Sequence, residues 1–156
     1  MIIRKAKDKD AKDIIRLLSQ VLEIHAVIRP DIFISGTTKY TEQEVIDIIN
    51  DENRLTFVVA DDNDKVIAYA LCIIQEQPFL NNMVAFKSLF IDDLCVDQSA
   101  RGQKIGSKLF NYVKNEAKKM GFYELTLNVW EGNDSAKSFY DKMGMKTKES
   151  QLELIL

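Results

Sequence analysis

The chain has 156 residues, of which 46% are hydrophobic and 29% are charged, and its net charge is −3. This length predicts a single domain over residues 1–156 whose core needs no disulfide or metal to hold it together. The slightly acidic balance disfavours a protein whose main partner is nucleic acid, because such domains are usually basic.

The cysteine, histidine and apolar content excludes further classes. Two cysteines, Cys72 and Cys95, cannot build a four-ligand zinc site, and a single histidine argues against a histidine-based metal site. The chain becomes charged within its first residues, and no apolar run approaches the length of about 18 residues that a membrane span needs. We therefore expect a cytoplasmic protein with no metal, no membrane span and no nucleic-acid partner.

The first half of the chain predicts a strand, two helices and a hairpin. Met1–Arg4 is a short strand, and apolar residues then recur at helical spacing from Asp8 until a proline follows Arg29. Thr41 and Glu44 fit a capping box, which begins a second helix. Two β-rich runs separated by an acidic turn predict the hairpin, and they are Leu55–Ala60 and Val66–Ile74.

The second half alternates strands and helices. A turn at Pro78 and Asn81 leads into an extended segment over about Val84–Val96, and a helix follows from Ile105 to a C-cap at Gly121. The remaining predicted elements are a strand over Glu124–Trp130, a helix capped by Asn133 and a closing strand that ends in Leu152–Leu156. This order predicts a mixed α/β sheet flanked by helices rather than a doubly wound fold.

The most informative segment joins a strand to a helix through a basic loop that contains glycine. It runs from Leu94 to Ser107 and carries Arg101 and Lys104 in the loop. A helix N-terminus after such a loop presents unpaired N–H groups, which suit a phosphate or diphosphate. The alternative is a structural turn whose basic residues face solvent. The patterns G-x-x-x-x-G-K-S/T and G-x-G-x-x-G are both missing, which disfavours a P-loop NTPase and a Rossmann dehydrogenase.

This loop resembles motif A of the GNAT superfamily of acyl-CoA-dependent N-acyltransferases, whose consensus is R/Q-x-x-G-x-G/A. Arg101 and Gly106 match its first and last positions, whereas Lys104 stands where the family has its middle glycine. The segment from Asn133 to Gly144 is similar to the family's later signature N-x-x-A-x-x-F-Y-x-x-x-G. The order of the predicted elements also agrees with the family across nearly the whole chain.

The resemblance implies the GNAT fold, a mixed and mostly antiparallel α/β sheet of about six to seven strands with about four helices. The sheet would splay between its fourth and fifth strands to admit the co-substrate acetyl-CoA. The implied contacts to acetyl-CoA come from the end of the fourth strand, from the basic loop and from a helix cap. They fall on Leu94, Cys95, Val96, Arg101, Gly102, Gln103, Lys104, Ile105, Gly106, Ser107 and Asn133.

The same resemblance implies direct attack of an amine on acetyl-CoA in a ternary complex. An alkyl amine with a pKa of about 10.4 is protonated at neutral pH, so a base is needed. Asp92 corresponds to the proposed base of the polyamine acetyltransferases, and Asp93 is the next candidate or a contact for a cationic substrate. Strand alternation would instead send one of the two carboxylates into solvent. Tyr140 corresponds to the family's acid for the departing thiolate, although its apolar helix face also fits a core role.

Further residues have alternative interpretations. His25 and Arg29 lie in the region that shapes the acceptor pocket in GNAT proteins, but a structural role also fits His25. Cys95 allows a ping-pong route through its thiol, although a cysteine in a β-rich run usually belongs to the core. Leu152–Leu156 could form an edge strand that is covered within the chain or by a partner in a homodimer.

More than one class of acceptor agrees with the sequence. The acidic pair favours a small cationic amine such as a polyamine. The alternative acceptors are a protein N-terminus or a lysine side chain. From another class of protein, a non-catalytic acyl-CoA-binding module of the same fold also agrees with the sequence.

Overall fold

A computed structural model describes residues 1–77 and 80–156, so the turn predicted at Pro78 lies outside the described residues. The described residues form one sheet in the order β1-β2-β3-β4-β5. Its strands are β1 over Ile2–Lys5, β2 over Arg54–Ala60, β3 over Val66–Glu76, β4 over Lys87–Val96 and β5 over Glu124–Leu127. The first four strands pair in antiparallel fashion and β5 runs parallel to β4, so the predicted mixed and mostly antiparallel sheet is confirmed.

Four helices flank this sheet in the described part of the chain, and none of them is both long and apolar enough to cross a membrane. They are α1 over Ala11–Ile28, α2 over Glu42–Ile49, α3 over Ile105–Lys119 and α4 over Asp134–Lys142. The predicted capping box is present at the start of α2, where Thr41 accepts from the backbone of Glu44 and Glu44 accepts from the backbone of Thr41. The local signals therefore predicted the number of helices and the starts of α2, α3 and α4, whereas α1 begins at Ala11, after a 3-10 turn over Asp8–Asp10, rather than at Asp8.

The predicted closing strand is wrong. The segment after α4 has no helix or strand over residues 145–156, so the described sheet has five strands rather than six to seven. Alternating apolar residues are typical of a strand, but a strand forms only against a neighbour that shares its hydrogen bonds. In the described part of the chain this segment shares no backbone hydrogen bond with any strand, although β5 has an unpaired edge.

The sheet carries a hydrophobic core on each face, which explains the near-continuous apolar runs in its central strands. On one face α1 and α2 pack against the sheet, with a core that includes Ile14, Leu17, Val45, Val58, Tyr69 and Leu71. On the other face α3 packs against the sheet, with a core that includes Phe57, Ala70, Leu89, Ile91, Leu109 and Val113. We call these the α1 face and the α3 face.

A buried ion pair fixes the end of β4 to α1. Asp97 directly follows β4 and is buried, and its carboxylate accepts hydrogen bonds from the guanidinium of Arg16 in α1 and from the backbone of Ser99. Arg16 also donates to the carbonyl of Val66 at 2.8 Å. Burial acts in the opposite direction, but these hydrogen bonds lower the pKa of Asp97 to about 2. The strand end is therefore anchored where the basic loop begins.

Candidate functional site

The strands β4 and β5 separate halfway along β4. Their parallel pairing ends with Ile91 opposite Leu127, whereas β4 stays paired with β3 as far as Val96 opposite Ala68. Among the described residues, positions 92–96 are therefore bonded to a strand on one side only. The predicted splay between the fourth and fifth strands is confirmed, and it leaves backbone groups of β4 free to bind a ligand. The splay also explains why β5 ends at Leu127 and not at the predicted Trp130.

A β-bulge brings the two adjacent aspartates to the same face of the sheet. The register between β3 and β4 shifts at this point, so that Asp92 has no opposite residue on β3. The flanking residues Ile91 and Leu94 both pack into the core of the α3 face, which is possible because the bulge interrupts the alternation. Both carboxylates therefore lie on the α1 face, and the alternative in which alternation separates them is wrong.

Asp93 is partly buried and lies beside a fully buried tyrosine. Burial raises the pKa of Asp93 to about 6; the nearby Lys39 ammonium lowers it, and the charge of Asp92 raises it further. Tyr69 of β3 is fully buried next to Asp93, and its hydroxyl has no hydrogen-bond partner among the described residues. A carboxyl group with a pKa near 6 is a stronger base than an ordinary aspartate and is still largely ionised at neutral pH.

Asp92 is paired with a lysine that sequence reasoning missed. The ammonium of Lys39 donates to Oδ2 of Asp92 at 2.8 Å, and the hydroxyl of Tyr40 lies 3.4 Å from the same oxygen. Burial acts against the charge of Lys39, but the hydrogen bond to Asp92 raises the pKa of the lysine. A lone lysine in a polar loop carries no periodic or motif signal. The contact depends on how the loop before α2 folds over β4, which the sequence pattern does not reveal.

Tyr140 projects from α4 and lies near Asp93. Its ring packs against Phe139 and Phe110, with centroid separations of 5.0 and 6.1 Å. Burial raises the pKa of Tyr140, and the negative charge of Asp93 adds to the increase. The hydroxyl therefore stays protonated and can act as a donor. The sequence predicted a core role and a catalytic role for this residue as alternatives, and its position is compatible with both.

The N-terminus of α3 presents free backbone donors to solvent. The helix starts at Ile105 without a side-chain cap, and its first backbone hydrogen bond runs from Lys108 to the carbonyl of Lys104 at 3.1 Å. The amides between Gln103 and Ser107 have no acceptor within the described residues. Since the loop before the helix is exposed, these amides and the positive end of the helix dipole can receive an anion. Arg101 lies in this loop, and its Nε donates to the carbonyl of Val96 at 3.4 Å.

Lys104 adopts the backbone conformation that the family's glycine would supply. Its φ of 60° and ψ of 19° lie in the left-handed region. A residue with a side chain pays about 1–2 kcal/mol for this conformation. The loop backbone therefore has the conformation that the motif glycine would allow, and the substitution of lysine for glycine introduces local strain at Lys104.

Replacing Lys104 with glycine should increase the free energy of unfolding by about 1 kcal/mol, because glycine adopts positive φ without a steric penalty. Urea denaturation monitored by circular dichroism measures the change. Lys108→Gly, at an exposed helical position of the same element, is the matched control and should destabilise by about 1 kcal/mol. If Lys104→Gly instead lowers the free energy of unfolding, the lysine side chain contributes more stability than its backbone strain costs.

Two other motif residues have visible structural roles. A Cβ at Gly106 would lie 3.4 Å from the ring of Phe139 and 3.5 Å from Val96, which is ordinary contact and agrees with the alanine that the motif allows. The side chain of Asn133 caps α4 by accepting from the amide of Ala136 at 3.3 Å. A contact between Asn133 and acetyl-CoA therefore stays a prediction.

The thiol of Cys95 points away from the opening. It lies 3.6 Å from the carbonyl of Leu17 in α1, and burial raises its pKa to about 12. A buried, protonated thiol is a weak nucleophile. These features favour the core role of the Cys95 side chain over the ping-pong route, and its backbone remains available in the splayed part of β4.

His25 belongs to an aromatic cluster at the far end of α1. Its ring lies 5.1 Å from that of Phe33, and Phe33 meets the ring of Trp130 edge-on at 5.3 Å. Burial lowers the pKa of His25, and the charge of Lys39 adds to this effect, so the imidazole is neutral at pH 7. Trp130 and Phe33 were not singled out from the sequence, because isolated aromatic residues in loops give no pattern.

The guanidinium of Arg29 already forms ion pairs and a cation–π contact within the protein. It lies 5.9 Å from the centre of the Trp130 ring and pairs with Asp31 at 2.8 Å and with Glu153 at 2.6 Å. The predicted substrate contact by Arg29 therefore stays a prediction, and a substrate would have to replace one of these carboxylates.

Comparisons with known proteins agree with this geometry. The model of the acetyltransferase (GNAT) family matches residues 18–145. A glucosamine 6-phosphate N-acetyltransferase of Arabidopsis thaliana is 30% identical over 101 residues, which cover 65% of this chain and 64% of that enzyme. This chain therefore spans less than two thirds of the length of that relative.

Two solved structures extend the comparison over the whole chain. The crystal structure of a mutant of the BH1408 protein from Bacillus halodurans is 33% identical and superposes with a TM-score of 0.94, covering 100% of this chain and 99% of that one. The crystal structure of glucosamine-6-phosphate N-acetyltransferase from Arabidopsis thaliana is 25% identical with a TM-score of 0.71, covering 99% and 97%.

Proposed function

The chain belongs to the acetyltransferase (GNAT) family, and we propose that it transfers the acetyl group of acetyl-CoA to a primary amine. Acetyl-CoA is the co-substrate of this family. The observation that carries the proposal is the separation of β4 from β5 after Ile91, which leaves one side of β4 unpaired between the pair Asp92 and Asp93 and the free amides of α3.

The unpaired side of β4 and the start of α3 offer different binding chemistry for acetyl-CoA. The free backbone of residues 94–96 would pair with the amides of the pantetheine arm, as an added strand pairs with a sheet edge. One strand amide would also donate to the thioester oxygen as negative charge develops there. The amides between Gln103 and Ser107 would hold the diphosphate, with Arg101 beside them.

The acidic pair supplies the base. Sequence reasoning placed Asp92 first, but its oxygen is occupied by Lys39 while Asp93 has the raised pKa. We therefore assign removal of the amine proton to Asp93, directly or through a water. Asp92, held by Lys39, would orient the amine as a positioning residue. This division gives each carboxylate a different environment, as proton-transfer sites commonly do.

Tyr140 is assigned as the acid. Attack of the amine nitrogen on the acetyl carbon breaks the carbon–sulfur bond, and the sulfur leaves as a thiolate that needs a proton. The high pKa of Tyr140 keeps its proton available until the thiolate forms, and the charge of Asp93 nearby sustains that state.

The acceptor class follows from the charges around the pair. The sequence favoured a small cationic amine such as a polyamine, but Lys39 places positive charge beside the aspartates. A polycation gains less from such a site, whereas an amine that also carries an anionic group can pair with the lysine. The similar plant enzyme is named for glucosamine 6-phosphate, so an amino sugar phosphate is the second candidate acceptor.

The test is the release of free CoA from acetyl-CoA with a panel of amines, namely spermidine, glucosamine 6-phosphate and a peptide with a free N-terminus. We expect release with at least one amine, and Tyr140→Phe should lower kcat by about 10²-fold with that amine. Because phenylalanine keeps the aromatic packing, the thermal stability of the variant should stay close to that of the wild type. If acetyl-CoA binds but no amine releases CoA, the chain is a non-catalytic binding module.

A further inference from the structure

The side chain of Lys39 ends at the acidic pair, where the proposed reaction needs the nitrogen of an acceptor amine. Its ammonium donates to Oδ2 of Asp92 at 2.8 Å and lies close enough to Asp93 for its charge to act on that carboxyl group. An acceptor amine also arrives as an ammonium ion, and it needs one carboxylate to hold it and another to take its proton. The chain thus carries a primary amine of its own beside the groups that would activate an acceptor.

The backbone around Lys39 is held beside β4 by its neighbours. Tyr40 packs against the core of the α1 face, and its hydroxyl lies 3.4 Å from Oδ2 of Asp92. The hydroxyl of Thr38 donates to the carbonyl of Tyr40 at 3.1 Å, and Thr41 begins the capping box of α2. These contacts anchor the loop, so the amine of Lys39 stays within the length of one side chain of the acidic pair.

The Lys39 side chain has room to move although its backbone is anchored. It is 45% exposed, whereas the side chain of Asp92 is 17% exposed. A lysine stem has four flexible carbons, so the nitrogen can leave Asp92 and turn towards the side of β4 that is unpaired after Ile91. Residues two apart in a strand are separated by about 7 Å. The swing of a lysine side chain covers this distance, which separates Asp92 from the proposed thioester position at residues 94–96.

Tethering gives this amine an advantage over free amines. A group held near its target by a short linker acts at an effective concentration of about a millimolar or more. Among the described residues, no other lysine pairs with Asp92 or Asp93. When acetyl-CoA is bound and no acceptor is present, Lys39 is therefore the amine nearest to the base.

We propose that the chain acetylates its own Lys39 when acetyl-CoA is bound without an acceptor. This inference rests on the proposed function, because it uses the same base and the same acid. Asp93 takes one proton from the ammonium of Lys39, and the nitrogen attacks the acetyl carbon. The carbon–sulfur bond then breaks, and Tyr140 protonates the departing thiolate. The second proton leaves the nitrogen as the amide forms and restores the hydroxyl of Tyr140, so the products are free CoA, acetylated Lys39 and the one proton that Asp93 releases.

The full chain incubated with acetyl-CoA and no amine should release a burst of about one CoA per chain, because the acetylated lysine cannot react again. Mass spectrometry of proteolytic peptides should find the acetyl group on Lys39. The exposed residues Lys12 and Lys118 are internal controls and should react at least about 10-fold more slowly, since neither lies at the site. The rate constant should not change with protein concentration, because the transfer occurs within one chain.

Acetic anhydride should reverse this order of reactivity. The reagent needs no binding site, so its rate follows the unprotonated fraction of each amine. Burial acts against the charge of Lys39, but the hydrogen bond to Asp92 raises the pKa of the lysine. Lys39 should therefore react with the anhydride more slowly than Lys12 and Lys118. If Lys39 is the fastest with both reagents, it is merely a reactive lysine and the proposal is wrong.

Two variants separate transfer at the site from other losses of acetyl-CoA. Lys39→Arg keeps the positive charge and can still pair with Asp92, but a guanidinium stays protonated and is no nucleophile. It should lose both the burst and the acetylated peptide, and a burst that persists would overturn the proposal. Asp93→Asn should slow acetylation of Lys39 by about 100-fold, because the base is missing. An unchanged rate in this variant would also overturn it.

The self-acetylation and the proposed function fail in different ways. If an amine of the panel releases CoA while Lys39 stays unmodified without acceptor, the self-acetylation is wrong and the proposed function stands. If acetyl-CoA binds and neither an amine nor Lys39 takes the acetyl group, both are wrong. Where an acceptor is found, its saturating concentration should protect Lys39, because both amines need the same carboxylates. Modification of Lys39 that is no faster than that of Lys12 and Lys118 contradicts the self-acetylation alone.

Discussion

Replacing Asp93 with asparagine should lower kcat by about 10²–10⁴-fold, because an amide cannot take the proton of the amine. In the wild type, kcat/KM should rise with pH through a limb near the Asp93 pKa of about 6. Asp93→Asn should lose this limb. A pH series of initial rates with the acceptor that gives the highest activity measures both effects.

Asp92→Asn is the control for this prediction. It alters the neighbouring carboxylate and frees Lys39, so it should raise the KM for the acceptor more than it lowers kcat. The limb should remain in this variant but move to lower pH, because the charge of Asp92 contributes to the raised pKa of Asp93. If Asp92→Asn removes the limb and Asp93→Asn keeps it, the base is Asp92, as the sequence first indicated.

Asp93→Asn should also stabilise the protein at alkaline pH. The pKa of Asp93 is higher in the folded state than the ordinary value of 3.8, so the folded state holds the proton more tightly. The free energy of unfolding therefore falls as pH rises from about 4 to 6, by at most about 3 kcal/mol for this shift. The variant should gain stability at pH 8 and little at pH 4, which thermal unfolding at both pH values measures. Equal effects at both pH values would contradict a raised pKa.

Replacing Arg101 with glutamate should weaken acetyl-CoA binding by about 10–100-fold, since a negative charge would face the diphosphate beside the free amides of α3. The loss should shrink at high salt, because salt screens exposed charges. Isothermal titration with acetyl-CoA at two ionic strengths measures the dissociation constants.

Lys118→Glu makes the same change in net charge at the other end of α3. Its side chain is exposed and lies about 20 Å from the helix start, so it should leave acetyl-CoA binding nearly unchanged. Equal weakening in both variants would indicate a general charge effect. Unchanged binding in Arg101→Glu would contradict the placement of the diphosphate.

Local patterns predicted most of the fold because they depend on neighbours in the sequence. The capping box at Thr41, the apolar period of α3 and the cap at Asn133 each specify their own element. The prediction of a closing strand was wrong because an alternating pattern indicates which face of a strand is apolar but not which strand it pairs with. β5 ended early for the same reason, since its pairing stops where β4 leaves it at Ile91.

The candidate site was predictable where motifs carry it and not where tertiary contacts do. Motif spacing gave the loop from Arg101 and the pair Asp92 and Asp93. The bulge that turns both carboxylates to one face is a property of register, which two adjacent aspartates do not reveal. Lys39 reaches the pair only after folding, so its influence on the pKa of Asp93 was invisible in the sequence.

The ion pair between Arg16 and Asp97 fixes the position of α1 relative to β4. Arg16 lies in the first half of the helix and pairs with the residue that follows β4, and the other end of the helix carries His25 into the aromatic cluster. A tilt of α1 that made room for a bulkier acceptor would also displace β4, to which the ion pair joins it. Variation in acceptor size among relatives of this chain should therefore be accommodated by the length and composition of the connection over residues 29–41, while the helix keeps its angle.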